Sequence, residues 1–399
     1  MRNVWEFCSV PRIVFGLGSI QQLNAILTEL AAKTVLVITD PGVVNAGILD
    51  QVLACLGEQS VSVYDKVQSE PPIETAIACY EFARSQKEPD LIIGLGGGSS
   101  IDLAKVVALL MKYGGHPNDY VGEHKVPGSI APLIAIPTTA GTGSEVTSVA
   151  VLTDVSNDIK VGISDNHLRP AIALLDPLLT IGLPPYVTAC SGVDALVHAI
   201  EAYTAKNYQY IEAEGKLLFN GSSPIADALA LQAIELIASN LVIAVQQGSN
   251  VEARSNMLLG SLVAGMAFSN AGTAAAHALA YPIGGLVKSP HGEVTGLLLP
   301  YVLRYNAGCI DTVKMVKIAD AFGVQINSLN HQEISESVSV KIIRTLREIG
   351  LPSRLSEIGI NEDNIPTIAA KALPISRLVR NNPRIPTQQG FELLLHDAL

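Results

Sequence analysis

Four residues in the second half of the chain are suited to binding a metal ion. Asp194 and His198 lie four positions apart in SGVDALVHAIEAYTA, and on a helix this spacing places both side chains on one face, with Cβ atoms about 5–6 Å apart. His277 lies in the alanine-rich run TAAAHALAY, and His291 lies in the turn-like SPHGE. One carboxylate and three imidazoles make a ligand set typical of a divalent transition metal. The alternative is that each histidine is a hydrogen-bonded core residue, since spacing alone leaves the convergence of three distant segments open.

The segment around His277 carries no charged side chain. Residues 257–287 contain no Asp, Glu, Lys or Arg, and their number would be enough to span a bilayer. Asn270, Pro282 and several glycines interrupt the apolar pattern, so we interpret the segment as a buried pair of helices in a soluble protein. A histidine is costly in such surroundings unless it is paired or bound to a metal, which favours a ligand role for His277.

Two loops of small residues in the first half of the chain are suited to binding a nucleotide. Residues 96–99, GGGS, lie between a buried strand and a helix that we expect to start near Ile101, where backbone N–H groups and the helix N-terminus favour a phosphate. Residues 137–145, PTTAGTGSE, follow the next strand. In a parallel sheet both loops emerge at the same carboxyl edge, where ligands bind. The glycine run differs from the GxGxxG fingerprint, and taken alone it could be a simple strand-to-helix turn.

Asp40 ends the first predicted strand, KTVLVITD. A carboxylate at that position can accept hydrogen bonds from the adenosine ribose hydroxyls and would repel a 2′-phosphate, which favours NAD over NADP. The alternative is that Asp40 caps the helix that follows it, a common role for aspartate at a helix N-terminus.

These residues must be positioned by two different kinds of domain. Short apolar runs at KTVLVITD, SVSVYD, PDLIIGLG and APLIAIP alternate with helical patterns, which indicates βαβ units and a largely parallel sheet. VAVLTD and DIKVGISD predict a hairpin, and AIALLDP predicts one more short strand. After Pro184 and Pro185 nearly every segment has helical periodicity. We therefore predict an α/β domain at residues 1–182 and an all-helical domain at residues 183–399.

Composition argues against several classes of protein. The 399 residues are 48% hydrophobic and 16% charged, which allows about two domains with large cores. A net charge of −11 argues against nucleic acid or an anionic membrane as a partner. The five cysteines form no CxxC pair, and the N-terminal MRNVWEFCSVPRIVFG lacks the unbroken apolar stretch of a signal peptide. We therefore expect a cytoplasmic protein that acts on a small molecule.

Several motifs together resemble the iron-containing (group III) alcohol dehydrogenase family. They are GGGSSIDLAK, PTTAGTGSEVTSVAVLTD, the helix with Asp194 and His198, His277 followed by PIGG, the PHG at His291, and NNPR near the C-terminus. They keep their order over essentially the whole chain. The resemblance implies a Rossmann-like N-terminal domain and a helical metal-binding domain, similar to the two-domain architecture of dehydroquinate synthase, with the active site in the cleft between them. It also implies a homodimer.

The resemblance further implies roles for individual residues. The metal ligands would be Asp194, His198, His277 and His291. Iron(II) is the metal that the resemblance implies, although zinc or another divalent ion suits the same ligands. Phe268 matches a pocket position, and with Val149 it suggests an apolar pocket for a small alcohol. The contacts to NAD would be Asp40, Gly97, Gly98, Ser99, Asp102, Thr138, Thr139, Thr142 and Lys160.

One position departs from the common family pattern. Many members carry a second histidine four residues after the third ligand, proposed to assist proton transfer, and Tyr281 occupies that position here. A tyrosine is a poor base near neutral pH, so Tyr281 or a water chain would carry the proton. The same tyrosine, with FNGSSPIAD, is similar to the hydroxyacid–oxoacid transhydrogenase branch of the family. Such an enzyme would need a cation near the substrate carboxylate, for which Lys288 and Arg304 are candidates.

The sequence thus predicts an NAD-dependent, iron-dependent alcohol dehydrogenase or aldehyde reductase for small aliphatic alcohols or diols. The metal would polarise the substrate oxygen, and hydride would pass to or from nicotinamide C4. One alternative is a hydroxyacid–oxoacid transhydrogenase or an enzyme similar to 4-hydroxybutyrate dehydrogenase. A lyase similar to dehydroquinate synthase would need basic residues around a phosphate-bearing substrate, and the ligand segments are poor in Lys and Arg. The third alternative is a non-catalytic nucleotide-binding protein.

Overall fold

A parallel sheet is built from the first half of the chain. The structure, a computed structural model, describes residues 1–156, 159–212 and 215–399. Its strands are β1 (Arg12–Phe15), β2 (Thr34–Ile38), β3 (Ser60–Tyr64), β4 (Leu91–Gly96), β5 (Gly122–Glu123), β6 (Leu133–Pro137), β7 (Val149–Asp154), β8 (Ile159–Ser164) and β9 (Ile172–Leu175). Six of them form one sheet in the order β1-β9-β6-β4-β2-β3, and each paired neighbour is parallel. β7 and β8 pair antiparallel, as the predicted hairpin requires, and β5 joins β8.

The sheet is buried on both faces. The helices of this part of the chain are α1 (Leu23–Glu29), α2 (Pro41–Asn45), α3 (Ile48–Leu53), α4 (Ile73–Ser85) and α5 (Gly98–Tyr113). In β2, Leu36 and Ile38 belong to one apolar cluster, while Val35 and Val37 belong to another. Successive side chains of a strand point to opposite faces, so both faces are covered, as a parallel sheet requires. The α/β class predicted from the alternating pattern is confirmed.

Two local features differ from the sequence prediction. α5 begins at Gly98, three residues before the predicted start at Ile101, because Gly98, Ser99 and Ser100 already belong to its first turn and Gly97 is its N-cap. β1 was not predicted at all. It is a four-residue strand at the edge of the sheet with mostly exposed side chains, and its three apolar residues, Ile13 to Phe15, are too short a run to identify a strand by pattern.

The second half of the chain is helical. Its helices are α6 (Pro185–Thr204), α7 (Pro224–Gln246), α8 (Val251–Ala271), α9 (Ala275–Gly284), α10 (His291–Asn306), α11 (Thr312–Ala321), α12 (His331–Glu348), α13 (Ile365–Ala372), α14 (Ser376–Val379) and α15 (Gln388–Ala398). By its internal contacts the chain divides into a sheet unit, Cys8–Gly182, and a helical unit, Leu183–Leu399 together with Met1–Phe7.

The uncharged segment at residues 257–287 lies mainly in α8 and α9. These two helices bend by 98° at the break between them, and most of their residues are buried, which confirms a buried helix pair. α7 is the one described helix that is long and apolar enough to cross a membrane, and 39% of its most apolar window is buried within the protein. Residues 257–287 were the one segment expected to be long and apolar enough to span a bilayer, and α7 shows that this expectation was wrong, since its apolar window tolerates up to two charged residues.

Candidate metal centre and nucleotide loops

Helix α6 carries three ionisable side chains on one buried face. Asp194, His198 and Glu201 follow one another at steps of four and three residues, and they are 4%, 6% and 2% exposed. Such steps stack side chains along one side of a helix. Since burying an ionisable group is costly without partners, the contacts of these three side chains define the site.

The four predicted ligands converge in the helical unit. One donor atom each from Asp194, His277 and His291 lies within 4.8 Å of the other two. His198 borders this group: its Nδ1 is 3.9 Å from Oδ2 of Asp194, and its ring stacks on that of His277 with centroids 4.6 Å apart. His291 is the first residue of α10 and His277 lies in α9, so three helices bring the donors together.

A buried nitrogen tests whether a metal fits here. Nε2 of His277 is buried and has no hydrogen-bond partner among the described residues, and it is 3.8 Å from Oδ1 of Asp194. The other ring nitrogen, Nδ1, is 2.6 Å from Oε2 of Glu201. A buried polar atom without a partner is rare in native proteins. A divalent metal would satisfy Nε2, and the carboxylate and imidazole donors around it suit that ion.

Electrostatics hold Asp194 as an anion. Burial alone would raise the pKa of Asp194, but the three nearby histidines outweigh burial and lower it. Thr295 also donates a hydrogen bond from its hydroxyl to Oδ1 of Asp194 at 2.8 Å. For His277, burial would lower the pKa, and the adjacent Glu201 outweighs this effect and raises it. The cluster therefore favours a cation next to its carboxylates.

Glu201 is a residue of this site that the sequence analysis missed. Its carboxylate accepts hydrogen bonds from the backbone N–H of Ala274 at 2.7 Å and of Ala276 at 2.6 Å, besides facing Nδ1 of His277. It therefore holds the start of α9 and the orientation of the His277 ring at once. The signal was available: an acidic residue in an apolar helix, seven positions after Asp194 and on the same face.

Replacing Glu201 with glutamine should weaken metal binding by about 10- to 100-fold, as removing an outer-shell partner of a ligating histidine typically does. The amide turns one acceptor oxygen into a donor that faces N–H groups, so the ring of His277 loses its fixed orientation. Competition with a chelator of known affinity measures the effect. Glu235→Gln, at an exposed position of α7, is the matched control, and equal metal affinity in both variants would contradict the role of Glu201.

Phe268 and Tyr281 lie beside the histidines, and their roles in the substrate pocket and in proton transfer stay predictions. The ring of Phe268 stacks on His198 with centroids 4.1 Å apart, and the ring of Tyr281 is 6.1 Å from that of His291. The hydroxyl of Tyr281 accepts a hydrogen bond from Nη2 of Arg377 at 2.9 Å. Arg377 was not among the predicted site residues.

Arg304 is a poor candidate for contacting a substrate carboxylate, contrary to the sequence hypothesis. Its guanidinium pairs with Glu336 at 2.7 Å and with Asp397 at 3.3 Å. Three of its nitrogen atoms donate to these two carboxylates, so its capacity for binding an anion is already used.

In the sheet unit, the two predicted nucleotide loops adjoin. β4 and β6 are parallel neighbours, so the loops leave the sheet side by side. A Cβ atom added at Gly97 would lie 3.4 Å from Oγ1 of Thr139, and one added at Gly98 would lie 2.7 Å from Cγ2 of Thr142. Thr138 directly follows β6 and is buried. Within the part of the chain that the structure describes, no side chain caps the N-terminus of α5, which leaves the N–H groups of its first turn for a ligand.

Asp40 acts as a helix cap in the structure. Its Oδ1 accepts a hydrogen bond from the backbone N–H of Val43 at 3.1 Å, and its Oδ2 accepts one from the hydroxyl of Ser100 at 3.0 Å. The capping alternative is therefore observed, and a contact of Asp40 with ribose stays a prediction.

Three other predicted cofactor contacts are engaged within the protein. Asp102 accepts a short hydrogen bond from the hydroxyl of Ser144, in the second loop. The hydroxyl of Ser99 accepts from the backbone N–H of Glu70 at 3.1 Å, and Lys160 pairs with the carboxylate of Glu70 at 2.5 Å. These bonds tie the loop residues to one another and leave their cofactor roles as predictions.

Two buried ionisable groups, Glu145 and Lys105, lie next to these loops. The first of them predicts a pH dependence of stability. Burial raises the pKa of Glu145 from 4.5 to about 7, and its Oε1 has no hydrogen-bond partner among the described residues. Burial lowers the pKa of Lys105 to about 8, although its ammonium donates to the carbonyl of Val149 at 2.8 Å. Between pH 4.5 and about 7 the folded protein binds more protons at Glu145 than the unfolded chain does. Stability contributed by Glu145 is therefore complete below that window and is lost as the pH rises through it.

Glu145→Gln should remove the loss of stability that the wild type shows as the pH rises. The free energy of unfolding of the variant minus that of the wild type should increase between about pH 5 and about pH 8. Urea unfolding at both pH values measures the difference, and Glu58→Gln at an exposed position of the same unit is the control. A difference that stays constant with pH would contradict the conclusion that burial raises the pKa of Glu145 in the folded protein.

Comparison with known proteins identifies the family. Residues 11–177 match the profile of iron-containing alcohol dehydrogenase, and residues 188–399 match that of the C-terminal part of the Fe-containing alcohol dehydrogenase family. Long-chain-alcohol dehydrogenase 1 of Geobacillus thermodenitrificans is 41% identical over 388 residues, which cover 94% of this chain and 93% of that protein.

Two solved structures share the whole fold. A 1,3-propanediol oxidoreductase superposes with a TM-score of 0.92 at 34% identity and covers 100% of both chains. Sulfoacetaldehyde reductase from Bifidobacterium kashiwanohense, solved in complex with NAD⁺, has a TM-score of 0.87 at 29% identity, covering 99% of this chain and 98% of that one. The chain is thus an oxidoreductase that acts on CH–OH groups, and it belongs to the iron-containing alcohol dehydrogenase family.

Proposed function

We propose that the protein is an NAD-dependent and iron(II)-dependent alcohol dehydrogenase, or aldehyde reductase, for small aliphatic alcohols or diols. The observation that carries this proposal is the convergence of Asp194, His277 and His291, with donor atoms within 4.8 Å of one another and His198 beside them. Family membership and the NAD⁺ complex of a similar enzyme support a metal and an NAD cofactor. Iron is the metal in the name of the family, and the same ligand types suit zinc.

The metal would be held by Asp194, His198, His277 and His291. When bound there it would act as a Lewis acid toward the oxygen of an alcohol or aldehyde. The protein contributes the orientation of the ligands. Glu201 faces Nδ1 of His277 and so leaves Nε2 as the binding atom. Thr295 donates to Oδ1 of Asp194 and fixes the plane of that carboxylate.

Tyr281 is the proposed proton carrier. Its hydroxyl oxygen accepts an N–H of Arg377, so its own proton is available for a substrate oxygen during aldehyde reduction. A water chain is the alternative route. Phe268, stacked on His198, and Val149 in β7 would supply apolar surface for the carbon chain of the substrate.

The sheet unit would hold NAD with its pyrophosphate at the start of α5. Gly97 and Gly98 lack side chains there, and the first-turn N–H groups favour an anion. Asp40 would accept hydrogen bonds from the ribose hydroxyls and would repel a 2′-phosphate, which favours NAD over NADP. Hydride transfer requires nicotinamide C4 to come within about 3–3.5 Å of the substrate carbon. The remaining proposed contacts are Ser99, Asp102, Thr138, Thr139, Thr142 and Lys160.

We further propose that the enzyme works as a homodimer in the cytoplasm. The five cysteines form no CxxC pair, a pattern that fits a reducing compartment. Its partner would be the small-molecule substrate, with neither nucleic acid nor a membrane involved. Light scattering on the purified protein tests the dimer.

The direct test of the proposed function combines metal analysis with activity. Protein purified without added metal is assayed for iron and zinc, then reconstituted anaerobically with Fe²⁺ or Zn²⁺. Short alcohols, diols and aldehydes are assayed with NAD and NADP side by side. We expect NAD-dependent turnover that is highest with Fe²⁺. Metal-replete protein that leaves the NADH absorbance unchanged with every alcohol and aldehyde would refute the proposal.

A further inference from the structure

We propose that Arg377 is a specificity-determining residue that binds the carboxylate of a hydroxy acid or oxo acid while the hydroxyl or carbonyl end of the same molecule reacts at the histidine cluster. The inference rests on the proposed function and deepens it by naming the substrate class as an alcohol that carries a carboxylate. It assigns the cation to Arg377, whereas the sequence suggested Lys288 or Arg304.

Arg377 lies next to a tyrosine at the edge of the histidine cluster. Tyr281 lies one helical turn after His277 on α9, and its ring is 6.1 Å from that of His291. Nη2 of Arg377 donates to the hydroxyl of Tyr281 at 2.9 Å, and its Cζ is 5.9 Å from the centre of the tyrosine ring. The guanidinium therefore contacts the tyrosine that borders the histidine cluster.

Arg377 has N–H donors beyond the one that Tyr281 accepts. A guanidinium has five N–H donors, and Tyr281 accepts from one nitrogen of this one. Among the described residues, no carboxylate lies within ion-pair distance of Arg377, in contrast to Arg304 and Lys314, which pair with acidic side chains. Arg377 is only partly exposed. Its planar fork matches a carboxylate with two parallel hydrogen bonds.

Tyr281 orients the guanidinium of Arg377. The phenol of Tyr281 accepts the N–H of Arg377 and fixes its direction. Tyr281 and Arg377 therefore form one unit, in which the phenol orients the guanidinium. A purely structural role, in which Arg377 only positions Tyr281, predicts equal effects on charged and neutral substrates, and this difference separates the two readings.

The test compares 4-hydroxybutyrate with 1-butanol, which have the same number of carbons and differ in the carboxylate. In the reconstituted enzyme, Arg377→Gln should lower the ratio of kcat/KM for 4-hydroxybutyrate to that for 1-butanol by about 10- to 100-fold, the range for losing hydrogen bonds to a charged group. Arg377→Lys keeps the charge without the fork and should give an intermediate ratio. Arg344→Gln removes the same charge at an exposed site paired with Glu348 and should leave the ratio unchanged.

Binding of butyrate gives a readout that does not depend on turnover. Calorimetric titration of the metal- and NAD-loaded protein should detect butyrate binding to the wild type and to Arg344→Gln, and a loss of about 10-fold or more in Arg377→Gln. Should Arg377→Gln fail to fold, the ratio measured for Arg377→Lys and the wild-type titration still decide the matter.

The outcomes separate the two proposals. An enzyme that oxidises 1-butanol, with an unchanged ratio in both Arg377 variants, overturns the role of Arg377 and leaves the proposed function standing. An enzyme that turns over no alcohol, diol or aldehyde of the panel refutes the proposed function, while butyrate binding that depends on Arg377 would still support the anion site. A wild type that binds no butyrate and prefers 1-butanol overturns the inference.

Discussion

Replacing His277 with alanine should abolish tight metal binding and lower kcat/KM for alcohols by about 1,000-fold or more, since a bound metal contributes several kcal/mol of transition-state stabilisation. The imidazole supplies one of the three donor atoms that lie within 4.8 Å of one another, and alanine supplies none. Affinity for NAD should be unchanged, because the proposed nucleotide loops belong to the other unit of the chain. Elemental analysis, calorimetry with NAD and NADH absorbance measure the three effects.

The fold of the His277 variant should survive the change. Without the ring, Glu201 keeps the two backbone N–H donors of Ala274 and Ala276, so its buried carboxylate stays hydrogen-bonded and α9 keeps its start. His396→Ala, at an exposed position of α15 in the same unit, controls for histidine removal. Full activity in His277→Ala protein that contains no metal would sink the assignment of the cluster as a catalytic metal centre.

The part of the site that residue spacing alone predicts lies within one element. Asp194 and His198 share a helix face, and period and spacing predict such a face directly. That His277 and His291 join them depends on how α9 and α10 pack on α6, which no local pattern encodes. Glu201 obeys the same spacing rule, but its role depends on a contact with His277 on another helix, which spacing does not reveal. Arg377 is 96 residues from Tyr281, so nothing local connected the two.

In the sheet unit, too, local patterns predicted the elements and missed the features that depend on tertiary contacts. Alternating strand and helix patterns were sufficient for the parallel sheet and its two loops, because buried strands carry continuous apolar runs. The edge strand β1 and the membership of Met1–Phe7 in the helical unit follow from tertiary contacts alone. Asp40 had two possible roles from sequence, and the structure adds the bond from Ser100 to the cap. Membership in the family also removes the non-catalytic alternative.

Replacing Gly292 with alanine should both destabilise the helical unit and weaken metal binding. Gly292 follows His291 at the start of α10, and a Cβ atom there would lie 2.1 Å from the carbonyl oxygen of Cys190 and 2.9 Å from Cβ of Asp194. Both obstacles belong to α6, and the nearer one is backbone that is not free to rotate away. The first turn of α10 must therefore retreat, and it would take His291 and the hydroxyl of Thr295 away from Asp194.

Overpacking a close helix contact should lower the free energy of unfolding by about 1–3 kcal/mol. Metal affinity should fall by about 10- to 100-fold, because the bond from Thr295 to Asp194 is disturbed together with a ligand. Urea unfolding of the metal-free protein and chelator competition measure the two effects separately. Gly308→Ala, at an exposed glycine of the same unit with nothing within 4 Å of an added Cβ, should leave metal affinity unchanged.

The backbone of Gly292 is not in the left-handed region, and alanine is the better helix former. Intrinsic propensity would therefore make the substitution stabilising, so any loss must come from the contact with α6. This gives the sequence PHG a physical meaning: histidine supplies a ligand, and glycine lets that ligand's helix approach the backbone that carries Asp194. A Gly292→Ala protein with wild-type stability and wild-type metal affinity would contradict the close approach of α10 and α6, and with it the geometry that brings His291 into the cluster.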